Sequence, residues 1–574
     1  MAYFCAEYGL AAWLPIYSGG LGVLAGDALK EASDMELPLV GVGLFYRHGF
    51  FRQWLDEAGY QHEAYATLDP AHLPLSPMLN GDGRPLLVPV PIADRTVYVR
   101  IWALQVGRTP LYLLDTDVAN NEWEEDRAIT ANLYGGDQET RIKQEIVLGI
   151  GGVRALRAMG ITPSIYSMNE GHAAFLALEL LAERLKGDTL SNVLTEIRSR
   201  IVYTNHTVVP AGNDVFTRDL VEMYLGPYSE MAGIGLSRLL ELGGSGEFSM
   251  ALLAFQVSGR ANAVSELHGA IIPQHWPGYE INVVTNGVHV PSWLGPVMRE
   301  VLDRHLPGWR SDEPHWDRIR QIPIAELWEA RNAQRREMVT FVNQRQSAAR
   351  LDGEVLTLVW ARRFAEYKRA GLLAGDLERL ARLLSNPRRP MQLIISGKAH
   401  PRDEGGKRAL QELLYRLRSD ARTASRVAFV ENYDLEVARY LTMGADVWLN
   451  TPRKPLEASG TSGMKSSDNG GLQLTVRDGW AAEVDWWNVG WGIEGRDDTT
   501  DAEQLHTFLE GDIVNSFYDR DDRGIPRRWT DLMKNTMLVT LSRYSARRMM
   551  LDYLNKLYLP LLDEQTVTGG VASN

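Results

Sequence analysis

The chain has 574 residues, with 60 Lys and Arg against 73 Asp and Glu and a formal net charge of −13. Hydrophobic residues at 45% and charged residues at 23% exclude wholesale disorder and fibrous classes, and the length exceeds that of one ordinary domain. The acidic balance, with an isoelectric point near 5.5, argues against a nucleic-acid or anionic-membrane surface as the main partner, so an anionic ligand needs a local basic pocket.

Short apolar runs recur in chain order, each followed by a Gly- or charge-rich turn and a helix-like stretch, the pattern of parallel βα units. Strands are expected at 39–45, 110–114, 201–204 and 281–284, and again at 355–361, 391–396, 427–431 and 447–450. Helix-like stretches at 409–417 and 435–441 lie between the later strands. The turn-rich segment 305–314 marks a boundary, dividing the chain into residues 1–310, 311–528, a helical segment 529–562 and a loose tail 563–574. The fold class is therefore α/β with two domains.

Cys5 is the one cysteine, which allows no disulfide within the chain and no cysteine-based zinc site. No H-E-x-x-H motif marks another metal site. Glu7 stands where a signal peptide needs an apolar run, and nowhere do roughly 18 apolar residues run together. These features point to the cytosol, without a membrane partner.

Three stretches carry chemistry. In 14–27, Gly19, Gly20, Gly22 and Gly26 open a helix, where bare backbone N–H groups either approach a phosphate or sugar or make a tight turn without ligand. In 360–369, Arg362, Arg363, Lys368 and Arg369 follow a strand; they either face the crevice at its carboxyl end or form a solvated helix face. In 456–465, Glu457, Ser459, Gly460, Thr461, Ser462 and Gly463 lead into a helix bearing Lys465, which is either solvated or a Schiff-base lysine.

Together with 133–138 (Leu-Tyr-Gly-Gly-Asp-Gln), 168–172 (Met-Asn-Glu-Gly-His), 205–207 (Asn-His-Thr), 265–268 (Ser-Glu-Leu-His), 285–289 (Thr-Asn-Gly-Val-His) and 431–433 (Glu-Asn-Tyr), these stretches resemble the α-glucan phosphorylases, especially their short bacterial and archaeal branch. The motifs follow the family's order and cover roughly residues 1–495. The resemblance implies a GT-B architecture, two Rossmann-like domains facing across a catalytic cleft, with the helical segment 529–562 packing back on the first domain. It also implies phosphorolysis of the terminal α-1,4 bond of glycogen or maltodextrin, with retention, to give glucose 1-phosphate. The implied cofactor is pyridoxal 5'-phosphate, used through its phosphate group rather than its ring.

Carried over by position, Lys465 forms the Schiff base, and Arg362, Thr461, Ser462 and Gly463 hold the cofactor phosphate with Tyr433 beside it. Arg363 and Lys368 bind the substrate phosphate, which acts first as acid toward the glycosidic oxygen and then as nucleophile. Gly20, Leu21, Gln138, His206, Glu457, Ser459 and Gly460 bind substrate, and Asn169 and His172 line the glucan channel with Glu170. The implied partners are α-glucan and inorganic phosphate, and a homo-oligomer is allowed.

Some positions depart from the family. Arg362 stands where longer members have Lys, Ala365 replaces a His, Gln138 replaces an Asn, and Ser466, Ser467 and Asp468 follow Lys465 where small or apolar residues are usual. The chain starts at its first strand, without the leader of many short relatives, which suggests truncation or an altered channel. Two alternatives follow: a nucleotide-sugar-dependent glucosyltransferase, which needs no Schiff-base lysine, or a catalytically silent glucan-binding protein. His268 and His289 are open between structural and site roles, and the tryptophans of 480–491 between core and sugar stacking.

Overall fold

The computed structural model describes residues 1–185, 187–208, 213–310, 314–346 and 348–571, so part of the boundary segment 305–314 and the last residues of the expected tail lie outside the described residues. The chain forms two compact units: Met1–Phe51 with Tyr65–Thr285 and Met549–Asn574, and Arg52–Ala64 with Asn286–Arg548.

The first unit is built on a ten-stranded sheet. Its seven parallel strands run in the order Ile281–Val283, Arg260–Ala263, Ile201–Thr204, Tyr166–Asn169, Ala2–Phe4, Val40–Leu44 and Thr109–Asp115. Beyond these the sheet turns antiparallel through Arg95–Val106, Leu87–Ile92 and Ser76–Pro77. The central strands read as continuous apolar runs because helices cover both faces of a parallel sheet. The extension Arg95–Val106 instead alternates buried and partly exposed residues, as expected where one face is uncovered.

The second unit holds six parallel strands in the order Val427–Val430, Met391–Ser396, Leu356–Ala361, Val447–Asn450, Leu472–Val476 and Trp491–Ile493. This is the doubly wound order, in which the direction of chain progression reverses between the first and fourth strands. One apolar cluster runs from Val290 and Met298 through Leu356 and Leu393 to Trp529 and Leu541. A short hairpin from early in the chain, Arg52–Leu55 paired with Gln61–Ala64, belongs to this unit.

The C-terminal segment is helical in pieces, Arg527–Arg543, Ala546–Tyr553 and Leu559–Val571, with a π-turn at Leu554–Tyr558. Within the expected tail 563–574 the last helix continues to Val571, and Gln565 donates to Ser199 O at 2.7 Å. No helix among the described residues is long and apolar enough to cross a membrane.

Candidate active site

In a doubly wound sheet the crevice lies outside the carboxyl ends of the two strands at which the order reverses. Here those strands are Leu356–Ala361 and Val447–Asn450, and the segments that leave them are 362–369 and 451–468. Two of the three chemistry-bearing stretches of the sequence thus flank one crevice within the second unit.

Arg362 is buried, its backbone N–H donating to Ser396 O at 3.1 Å and one guanidinium nitrogen to Leu449 O at 3.4 Å. Its Nη1 lies 3.8 Å from Glu457 Oε2, and the same oxygen pairs with Lys368 Nζ. Burial lowers the Arg362 pKa, which Glu457 partly offsets. For Glu457, burial pushes the carboxyl up, but Lys368 and then Arg362 outweigh it and hold the group below its usual range. Arg363 is exposed, its charge felt by Glu457 and His400. A buried and a partly buried cation on one carboxylate leave this crevice with excess positive charge, and Arg362 Nε has no hydrogen-bond partner among the described residues. The arrangement can accept a further anion.

Arg369 belongs to the scaffold instead. At φ 50° it turns away to bond Asp501 at 2.8 Å, Asp498 at 3.0 Å and the Thr451 and Pro452 carbonyls. The chain before it is fixed by Thr451 Oγ1, which donates to Lys368 O at 3.0 Å and accepts from the Trp360 indole at 3.1 Å.

Lys465 lies on the short helix Ser462–Asp468, which Thr461 precedes, and its ammonium sits 4.1 Å over the Trp293 ring. Asn469 anchors that helix: its amide donates to Lys465 O at 2.9 Å and to Trp293 O at 2.8 Å, while its oxygen accepts from Gly295 N and Gln334. Asp468 is buried one turn past Lys465. Around the helix start, Ser459 Oγ is buried without a hydrogen-bond partner among the described residues, and a Cβ on Gly463 would meet Gln473 Oε1 at 2.6 Å. Tyr433 follows Asn432, at φ 56°; burial raises its hydroxyl pKa while the nearby Arg362 charge pulls it down. Gly460 has φ 86°, the left-handed region that glycine enters at no steric cost.

The remaining expected site residues lie in the first unit. The helix Gly20–Asp34 starts at the glycine loop with Gly19 as its cap, leaving Gly20 exposed and Leu21 partly so. Behind the loop, Glu7 Oε2 accepts from Ser18 N at 2.6 Å and Gly19 N at 3.4 Å, and Glu7 Oε1 from Tyr134 OH at 2.6 Å. The first N–H groups of the loop therefore already hold an internal carboxylate, and a side chain on Gly22 would collide with it at 2.8 Å. Burial raises the Glu7 pKa against those hydrogen bonds.

Asn169 and His206 touch, Asn169 Oδ1 against His206 Nε2. Burial, then the charges of His268 and His172, depresses the His206 pKa to about 3, so its ring is neutral at ordinary pH. His172 is likewise held at about 4 by burial and Arg141; its Nε2 lies 3.4 Å from Asp214, which also pairs with Arg141 at 2.7 Å. Gln138 stands apart, exposed at the start of the helix Gln138–Ile146 with its amide on Val215 O at 3.3 Å.

His268 accepts from Val264 N and His289 contacts Ser292, so both have structural partners within their own turns. Of the four tryptophans in 480–491, Trp480, Trp486 and Trp491 are core, while Trp487 is 80% exposed.

Sequence reasoning missed Glu7, Asp478, Asn469 and the hairpin residues Gln53 and Gln61. Gln53 donates to Gly397 O at 2.8 Å, and Gln61 both accepts from Ala399 N at 2.9 Å and donates to Ala399 O at 3.0 Å. That segment bridges to Phe364, whose N–H donates to Lys398 O at 2.9 Å, so the two glutamines brace the backbone beside Arg362 and Arg363. The hairpin's strands, Arg-Gln-Trp-Leu and Gln-His-Glu-Ala, carry no apolar alternation that could have marked them, and the Gly59 turn was the one local signal.

Comparison with known proteins is consistent across the chain. A family model described as carbohydrate phosphorylase matches residues 213–490. A glycogen phosphorylase of Mycobacterium tuberculosis is 43% identical over 99% of this chain and 72% of its own length. A maltodextrin phosphorylase of Thermococcus litoralis is 41% identical over 97% and 70%, and a glycogen phosphorylase of Aquifex aeolicus 35% over 98% and 87%.

Proposed function

Since the chain belongs to the carbohydrate phosphorylase family, we propose that it is an α-1,4-glucan phosphorylase, transferring the terminal glucose of glycogen or maltodextrin to inorganic phosphate to release glucose 1-phosphate. We read its two units as the Rossmann-like halves of a GT-B architecture, the first carrying glucan-binding residues and the second the phosphate and cofactor residues. The observation that carries this reading is the crevice of the second unit, where Arg362 and Lys368 share Glu457 and leave positive charge for an anion.

Pyridoxal 5'-phosphate fits the donor set present. Lys465 offers a buried amine over an indole, Ser459 Oγ and Arg362 Nε are buried without hydrogen-bond partners among the described residues, and Gly463 stands where any side chain would collide with Gln473. Lys465 would hold the aldehyde carbon, while Arg362 and the backbone of Thr461, Ser462 and Gly463 would hold the phosphate, with Tyr433 alongside. When bound, the cofactor supplies a phosphate group that exchanges a proton with the substrate phosphate.

Arg363 and Lys368 orient the substrate phosphate. Lys368 then exchanges part of its pairing with Glu457 for the incoming anion, which frees Glu457 to accept from glucose hydroxyls. The substrate phosphate gives its proton to the glycosidic oxygen; the C1–O bond breaks, and the deprotonated phosphate oxygen bonds C1 on the same face. Ser459 and Gly460 with Glu457, and Gly20, Leu21, Gln138 and the neutral His206, bind the sugar, while Asn169 and His172 line the glucan path. A neutral imidazole whose Nε2–H is held by Asn169 Oδ1 accepts from a sugar hydroxyl at Nδ1 without placing a cation beside the electron-poor anomeric carbon.

The test is release of glucose 1-phosphate from maltodextrin by the cofactor-loaded protein. Release must require inorganic phosphate, and a loaded protein that releases none refutes the reading.

A further inference from the structure

Asn169 ends the strand Tyr166–Asn169 and Glu170 follows it directly, and successive residues of an extended chain point to opposite sides. Here both reach one neighbour. Asn169 Oδ1 meets the His206 ring at Nε2, and Glu170 Oε2 accepts the His206 backbone N–H at 2.7 Å.

The two can converge because Glu170 adopts φ 70° and ψ 177°, a region essentially reserved for glycine. Its own N–H donates to Thr204 O at 3.0 Å, which ties the strained residue to the strand Ile201–Thr204 that leads into His206. Glu170 is also buried, and its second oxygen, Oε1, has no hydrogen-bond partner among the described residues. Backbone strain, a desolvated carboxyl and an idle acceptor coincide at one residue. A glycine would relieve all three.

We propose that Glu170 is a positioning residue: it fixes the His206 main chain so that the imidazole, held by Asn169, presents its nitrogen to the terminal sugar of the glucan. This rests on the reading of His206 as a sugar-binding residue.

The groups that act on Glu170 are few. Burial pushes its carboxyl up to about 7 and Asp214 adds to the rise, while the His206 N–H and the Thr207 hydroxyl oppose it; Tyr203 and Cys5 feel its charge in turn. His172 and His268 act on the His206 ring. The bond that fixes His206 is therefore charge-assisted above about pH 7 and weaker below it.

The experiment compares wild type, E170G, E170Q and H206A by calorimetric binding of maltoheptaose, by KM for glucan and for phosphate, and by thermal denaturation. E170G should weaken maltoheptaose binding and raise glucan KM ~10-fold, leave phosphate KM within ~2-fold, and melt no lower than wild type, because glycine accepts this backbone. A carboxylate with only a structural role predicts the reverse: a lower melting temperature and no split between the two KM values. E170Q, isosteric but uncharged, should show a rise of ~3-fold and lose the wild-type fall in glucan KM as pH rises through about 7. If E170G and E170Q bind maltoheptaose like wild type while H206A does not, or if H206A itself binds normally, the proposal falls. Should wild type release no glucose 1-phosphate, the functional reading falls alone, and the binding comparison still decides on Glu170.

Discussion

Asp478 Oδ2 accepts the backbone N–H of Glu457 at 2.9 Å, while its Oδ1 accepts Gly479 N at 2.8 Å. A carboxylate at the end of the strand Leu472–Val476 thus sets the start of the loop that carries Glu457, Ser459 and Lys465. Trp480 N closes the same junction by donating to Ser459 O at 3.0 Å. There is room for this because Gly479, at φ 53°, has no Cβ; one would lie 2.3 Å from Ser459 O.

Burial, and the nearby Glu457, raise the Asp478 pKa to about 7. The folded value exceeds the unfolded one, so this group's stabilising contribution is complete below pH 4 or so and is lost as pH rises through about 7. Asp478→Asn should flatten that part of the stability curve and, by turning an amide donor toward one of two N–H groups, lower kcat/KM about 10-fold or more. Thermal melts of both proteins from pH 5 to 8 check it. An unchanged slope contradicts the assignment.

Lys368→Ala leaves Glu457 buried with Arg362 at 3.8 Å as its remaining ion-pair partner, a change expected to cost about 3 kcal/mol and to raise phosphate KM at least ~10-fold. Removing the carboxylate as well should recover most of the stability and none of the activity. A double-mutant cycle in urea, paired with phosphate kinetics, measures both, and additive stability losses would mean that the pair is not coupled.

Lys465→Ala should fold normally, since the helix is anchored through Asn469 to the backbone, and should lose all covalent capture of pyridoxal phosphate and all detectable phosphorolysis. Borohydride reduction followed by peptide mapping reads the first. A pyridoxyl label found on another lysine would reassign the position.

Gln61→Leu removes the two hydrogen bonds to Ala399 and one from Gln53, all in buried surroundings, and a fourth to Glu63. The loss should be about 2–4 kcal/mol of stability, with phosphate KM rising more than glucan KM because the braced segment lies beside Arg362 and Arg363. Equal changes in both constants would show that the hairpin does not act through the phosphate residues.

Trp480 and Trp487 should part company. Trp480 packs against Trp486 at 5.8 Å and Tyr544 at 4.9 Å, so Trp480→Ala should cost about 3–5 kcal/mol. Trp487→Ala should stay within about 0.5 kcal/mol, the range of exposed surface changes. If Trp487→Ala alone weakens glucan binding, the exposed indole is a sugar platform rather than an idle surface residue.

Local chemistry made much of this protein legible from its residues. Parallel strands buried on both faces write themselves as apolar runs, so 201–204, 391–396 and 447–450 were placed within a residue, and Arg362, Lys368, Glu457 and Lys465 stood out as charge and glycine concentrated after such runs. Sequence alone could not rank the cations. Arg369 looked equal to Lys368, and only the fold brings Asp498 and Asp501, more than a hundred residues later, to claim it. Likewise Glu7 read as a residue out of place in a signal peptide, and became the internal anion of the glycine loop once distant segments met. The physical reason is common to both cases: residue type sets which charge or hydrogen bond a side chain can offer, whereas the partner that uses it, and the burial that sets its strength, exist only after the chain has folded.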